Sequence, residues 1–256
     1  MRVGSGNAVE SRREAVDTCR KEKRLLHRDF RCEFYFIRHG ESASNATPGF
    51  AAGKNFDAPL TPLGIEQARL LGKRFQKEKI VFDRIYSSSL KRAVQTTDAM
   101  IDSMQCANTS FTQVDAIIEQ QVPGWRGVPM EEAFAPAPLS YMRGKGIDFV
   151  GPDNGESYRI VRRRMSTWIE NEVIYNNQFI AKYPSARIAI IGHGNATRCL
   201  FQYIMGFDSL LIDRIALDNT SISRFIFDSR GWSMVSMNDN SHLMDTDRDP
   251  NFDTRP

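Results

Sequence analysis

The stretch Phe34-Tyr35-Phe36-Ile37-Arg38-His39-Gly40-Glu41 decides the fold. An unbroken apolar run that ends in charged residues and a glycine marks a strand buried on both faces and running into a loop. The same punctuation returns far downstream in Ile190-Ile191-Gly192-His193-Gly194-Asn195. The chain holds four histidines, and two of them occupy these equivalent points. In a parallel α/β sheet such points gather along the carboxyl edge, where ligands bind. Two histidines and an arginine converging there suit chemistry on an anion.

Outward from the first strand, expected at 33–38, Thr61-Pro62 reads as a helix cap followed by proline at the first helical position. Ile65, Ala68, Leu71 and Phe75 then keep helical spacing to about residue 78. A short strand is expected at 83–86. A helix follows in which Leu90, Ala93, Val94, Thr97, Met100, Ile101 and Met104 share one face. The spacing predicts a third strand over 111–118. Residues 119–155, rich in proline and glycine, break the rhythm and read as an irregular insertion over the active site, with 131–134 as a helical piece. A long helix is expected from 157 to 179, a buried parallel strand at 187–191 and a helix at 195–205. A hairpin of 221–227 and 232–237 closes the series about Ser229-Arg230-Gly231.

Strands alternating with helices define an α/β fold with a mostly parallel central sheet flanked by helices on both faces. The expected organisation is an N-terminal extension over 1–31, a catalytic domain over 32–243 and a disordered tail over 244–256.

Composition narrows the function classes. The 256 residues are 41 % hydrophobic and 25 % charged, as in an ordinary globular protein, and the formal net charge of +3 is too small to imply nucleic acid or a membrane surface. Cys19, Cys32, Cys106 and Cys199 are scattered without CxxC spacing, which speaks against zinc and against a disulfide framework. No apolar run approaches the ~20 residues that span a bilayer. The N-terminal stretch lacks the apolar core of a signal peptide. A cytoplasmic protein is expected, with no nucleic-acid or membrane partner, no metal and no cofactor; the sequence says nothing of oligomeric state.

Arg38-His39, Arg92, Glu119 and His193 all fall at junctions between regular elements. A neutral imidazole is a competent nucleophile toward phosphorus, and a covalent intermediate splits one hard displacement into two easier ones. Phosphoryl transfer needs cationic donors aimed at the non-bridging oxygens, a task suited to the arginine fork. Arg92 near a helix start, after Ser87-Ser88-Ser89, adds backbone dipole to such a pocket. The leaving oxygen needs a proton, which a carboxylic acid can supply. The other two histidines, His27 and His242, read as surface and as structural or pocket-rim groups. The run Arg162-Arg163-Arg164 reads as a solvated helix face.

At these residues the chain resembles the histidine phosphatase superfamily, in its phosphoglycerate-mutase-like branch. The resemblance rests on Arg38-His39-Gly40-Glu41-Ser42 with Asn45, Leu60-Thr61-Pro62-Leu63-Gly64 with Gln67-Ala68, and Ser87-Ser88 with Leu90-Lys91-Arg92-Ala93 and Gln95-Thr96. Asn154-Gly155-Glu156-Ser157 with Arg164 and Trp168, and Gly192-His193-Gly194-Asn195 with Arg198, complete it. It implies that His39 is the phosphorylated nucleophile, that Arg38, Arg92, His193 and Asn45 line the phosphate pocket, and that Glu119 is the proton donor. Asp115, Glu131 and Glu132 are the alternatives for that last role. Trp125 and Gly127 fit the family pattern after the acid, whereas Pro123 and Arg126 depart from it.

The resemblance implies a metal-independent phosphomonoesterase acting on a small phosphorylated metabolite or other phosphomonoester. Its competitors are a 2,3-bisphosphoglycerate-dependent phosphoglycerate mutase and a catalytically inactive relative that only binds phosphorylated ligands. Ser44 stands where the mutases carry tryptophan, while Gly194-Asn195 looks mutase-like. Arg126, Arg143 and Lys145 in the insertion are candidate contacts for the rest of the substrate; they form no arginine pair of the mutase kind.

Overall fold

The computed structural model describes residues 29–47, 49–52, 55–105 and 109–244. Nearly all of the proposed extension, with His27, and nearly all of the proposed tail lie outside them. Six strands form one sheet: β1 (Arg31–Arg38), β2 (Arg84–Ser88), β3 (Thr112–Val114), β4 (Ser185–Gly192), β5 (Ile222–Asp228) and β6 (Gly231–Asp239). Their order is β3-β2-β4-β1-β5-β6. The three pairings among β1 to β4 are parallel, and β5 and β6 add an antiparallel hairpin at one edge.

The helices are α1 (Pro62–Lys77), α2 (Lys91–Met104), α3 (Met130–Ala133), α4 (Pro136–Lys145), α5 (Tyr158–Ile169), α6 (Asn177–Lys182) and α7 (Gly194–Met205). Alternation along the central strands explains why both sheet faces are covered. Tyr35 and Ile37 of β1, with Ala189 and Ile191 of β4, pack on Leu71 and Phe75 of α1 and Met100 of α2. Phe34 and Phe36, with Ile188 and Ile190, face Val161 and Met165 of α5 and Leu200 and Phe201 of α7. Side chains of a strand point to opposite faces in turn, so an unbroken apolar run feeds two cores at once.

The α1 start forms as its sequence dictates: the Thr61 hydroxyl accepts from Gly64 N, and Pro62 opens the helix. Gly40 and Gly64 let the loop after β1 touch that helix. A Cβ on Gly64 would come within 2.0 Å of Glu41 O, and one on Gly40 within 2.4 Å of Gly64 O.

Three expectations need correction. The strand expected at 111–118 is only Thr112–Val114, because it pairs with β2 alone and β2 ends at Ser88. The chain then turns through the 3₁₀ segment Asp115–Ile117, which buries Ile117 and carries Glu119 toward the sheet edge. The single helix expected over 157–179 is broken. It starts at the cap Ser157, passes into a π-helical turn at Glu170–Ile174, and stops where Asn176 caps a new helix by accepting from Phe179 N. Asparagine that bonds the nearby backbone competes with helix continuation. The insertion is also more regular than its composition implies: α4 begins at Pro136, and prolines are tolerated in a first helical turn.

Candidate active site

Register brings the two histidines together. Arg38, the last residue of β1, pairs with Gly192, the last of β4, so His39 and His193 leave adjacent parallel strands at the same height. The hydrogen bond from His39 N to Gly192 O, 3.0 Å, continues the ladder one step into the loop. Their rings lie 5.1 Å apart. On the far side of β4, β2 ends at Ser88, whose hydroxyl lies 2.7 Å from His193 Nε2.

His39 Nδ1 lies 2.7 Å from Gly40 O, a partner that can only accept, so the ring proton sits on Nδ1 and Nε2 keeps its lone pair. Arg92 Nε donates to that Nε2 at 3.0 Å, while its Nη1 donates to Phe56 O. Burial, reinforced by the charges of Arg92 and Arg38, holds His39 well below the usual histidine value. Burial, then Arg92 and His39, does the same to His193. Both imidazoles are therefore neutral at physiological pH. Burial also pulls Arg92 down from its ordinary value, opposed by Glu119 and Asp57; guanidinium stays a cation regardless.

A cavity of about 390 Å³ opens over this edge, lined among others by Arg38, His39, Asn45, Arg92, Glu119, Arg126 and Arg143. His193 is fully buried beneath it, its Nδ1 without a hydrogen-bond partner. Asn45 Oδ1 accepts from Ser42 N and Oγ, which fixes the loop after β1. Glu119 sits at the start of α7: Oε1 accepts from Gln120 N and Ala196 N, and Oε2 from Asn195 N. Backbone N–H groups at a helix start are ready partners for a carboxylate.

Of the alternative acids, Asp115 is bound by the Ser89 hydroxyl and Glu131 and Glu132 are exposed on α3; none lines the cavity. Lys145 also lies outside its lining, with the ammonium over the Tyr141 ring. Among the described residues no group of three or more His, Cys, Asp or Glu side chains is placed to hold a metal. No helix among them is long and apolar enough to cross a membrane.

The sequence reading misses one supporting element and, for Arg164, which it matches to the family pattern, the role. Residues 217–221 cradle the loop after β1. Arg38 Nη1 donates to Leu217 O at 2.5 Å, Asn219 Nδ2 to His39 O at 2.9 Å, and Thr220 N to Arg38 O at 3.0 Å. The only signal there is the turn-forming run Asp218-Asn219-Thr220, which marks a loop without naming its neighbour. The second element is Arg164. It pairs with Glu156 and donates to Ala116 O and Glu119 O, so it holds the backbone that carries Glu119. Of its run, Arg163 alone is exposed, and Arg162 donates to Gln202 Oε1. His242 is structural, bonded to Thr220 and absent from the cavity lining.

The family model of the histidine phosphatase superfamily (branch 1) matches residues 34–240. A relative named probable phosphoglycerate mutase GpmB, from Yersinia pestis (strain Pestoides F), is 27 % identical over 222 residues, which is 82 % of this chain and 94 % of that one. A mutant phosphoserine phosphatase from Entamoeba histolytica, solved in complex with phosphoserine, superposes with a TM-score of 0.67 at 23 % identity, covering 83 % of this chain and 99 % of the other. The phosphoglycerate mutase of Bacillus anthracis str. Sterne gives 0.68 at 19 %, covering 85 % and 97 %. These two structural likenesses speak for the fold.

Proposed function

The chain belongs to the histidine phosphatase superfamily, branch 1, and from that premise we propose that it is a metal-independent phosphomonoester hydrolase working through a phosphohistidine. One observation carries the reading: His39 is neutral, its Nδ1 proton is held by Gly40 O, and its Nε2 lone pair lies beside the Arg92 guanidinium. Nε2 forms a bond to phosphorus as the bond from phosphorus to the leaving oxygen breaks. Arg38 and Arg92 stabilise the charge on the non-bridging oxygens. Because Ser88 Oγ accepts from Leu90 N, its own hydrogen is available to His193 Nε2. In that tautomer His193 Nδ1–H is a further donor to the phosphoryl group, and Asn45 lines the same pocket.

Glu119 protonates the departing oxygen. Water then attacks phosphorus, passes its proton to Glu119, and breaks the bond to nitrogen, returning neutral His39 and releasing phosphate. Aryl phosphates, whose leaving oxygens need little protonation, should outrun alkyl phosphates.

The mutase reading draws support from the name of the Yersinia relative. Against it stands Ser44, which lines the cavity and donates to Asn55 O where a mutase carries tryptophan. Rapid quench of the turning-over enzyme should trap an acid-labile, base-stable phosphoryl group, with phosphate release from p-nitrophenyl phosphate. No release from any phosphomonoester would favour the inactive binder. Conversion of 3-phosphoglycerate to 2-phosphoglycerate, primed by bisphosphoglycerate and faster than phosphate release, would favour the mutase.

A further inference from the structure

The cavity is much larger than a phosphoryl group attached to a three-carbon acid requires. Its roughly 390 Å³ falls in the range of about 300–1,000 Å³ found for pockets that enclose drug-sized ligands. Much of its lining is aromatic or otherwise apolar. Trp125 stacks on Phe149 with ring centres 5.6 Å apart and meets Phe134 at 5.5 Å, and all three line the cavity with Phe50, Phe56 and Met142.

This wall is assembled in advance from two separate segments. Ala51 N donates to Val128 O at 3.0 Å, and Met130 N to Gly49 O at 2.8 Å, tying the loop after β1 to the insertion. A preformed apolar surface has no ordering penalty left to meet when a ligand arrives.

The charges on this lining are mixed, with Arg126, Arg143 and Arg214 set against the carboxylate of Asp213. Arg126 lies over the Phe56 ring, 5.0 Å from its centre, and Asp213 places a carboxylate on the same lining, accepting from Tyr158. We infer that the aromatic wall of the cavity is a leaving-group subsite for a bulky apolar alcohol, so the substrate class is an aryl or medium-chain alkyl phosphomonoester. This inference rests on the phosphomonoester reading of the same cavity.

The test separates binding from turnover by using n-alkylphosphonates, which resist hydrolysis. Each methylene that enters an apolar site contributes up to about fourfold in affinity. Titration calorimetry on the whole chain should show hexylphosphonate binding at least about tenfold more tightly than ethylphosphonate, with a heat-capacity change that grows more negative along the series. Trp125→Ala and Phe149→Ala should each flatten the dependence on chain length. The wild-type series stands as a test even if these variants fold poorly.

Affinity independent of chain length, no binding at all, or tighter binding of 3-phosphonopropionate than of hexylphosphonate would overturn the subsite. Phosphate release from alkyl phosphates is scored separately. Chain-length-dependent binding without any release supports the subsite and defeats the hydrolase reading alone.

Discussion

At one end of the cavity Arg38, His39 and Arg92 are buried polar groups, with His193 beneath them, delivered by strand ends and a helix start far apart in sequence. On its aromatic side Trp125, Phe134 and Phe149, all from the insertion at 119–155, form a half-buried wall. The first end depends on the parallel register of β1 and β4 and on the cradle at 217–221, so its atoms are fixed to within a hydrogen bond. The second depends on contacts among rings, which tolerate change of shape. On the proposed reading, chemistry that needs exact donors sits on the sheet edge, and selection among leaving groups on a segment that can vary without disturbing the sheet.

The sharpest way to break this contrast is His39→Ala. It should abolish turnover and the quenched phosphoryl adduct while leaving the circular dichroism of the fold unchanged; appreciable residual phosphate release would remove His39 from the nucleophile's role. Glu119→Gln should come next. General acid–base catalysis contributes about 10²–10⁴-fold, so loss of that order is expected on alkyl phosphates and much less on p-nitrophenyl phosphate. Equal losses on both would mean that another group delivers the proton.

Removing one preorganised donor costs about 10²–10³ in rate. Arg92→Ala and His193→Ala should each lower kcat by that order. An effect confined to KM would mean that these groups hold the substrate without stabilising the transition state.

A milder effect follows from pH. His39 and His193 titrate below the ordinary value, chiefly through burial, and burial with Arg74 nearby pushes His242 down to about 4. In the unfolded chain these groups take up protons near pH 6.5. The unfolded state therefore binds more protons below that point, and stability falls as pH drops from about 6.5 toward the folded-state values. Urea midpoints should be highest at and above neutrality and decline through pH 6 to 5. Trp125, Phe134 and Phe149 carry no ionisable group, so the gain in phosphonate affinity with chain length should not change over the same range.

The smallest effect is expected from Lys145→Ala. Its ammonium rests over Tyr141, outside the cavity lining, and kcat/KM should stay within about twofold of wild type. A tenfold loss would bring that residue to the substrate.

What the sequence determined by itself was everything governed by local pattern. The apolar runs before Arg38 and Gly192 specify strands buried on both faces, Thr61-Pro62 specifies a helix start, and glycine-bearing loops after those strands specify a ligand edge. The family-specific order of Arg38, His39, Arg92 and His193 is carried by short motifs and is equally local. Tertiary structure decided what depends on partners distant in sequence. Whether residues 111–118 stay extended depends on where β2 ends, and no local pattern contains that length. The break in the helix after residue 169 is local by contrast: the Asn176 side chain accepts from Phe179 N three positions on and competes with a helical signal otherwise intact.

The choice of Glu119 over Asp115, Glu131 and Glu132 to face the cavity was likewise tertiary. It follows from the turn at Asp115–Ile117, the anchoring of that backbone by Arg164, and the α7 amides that receive the carboxylate. The cradle at 217–221 was invisible for the same reason: its hydrogen bonds run to residues about 180 positions away. Propensity and periodicity act over a few residues, whereas the bonds that orient a catalytic loop close only when the whole sheet has formed.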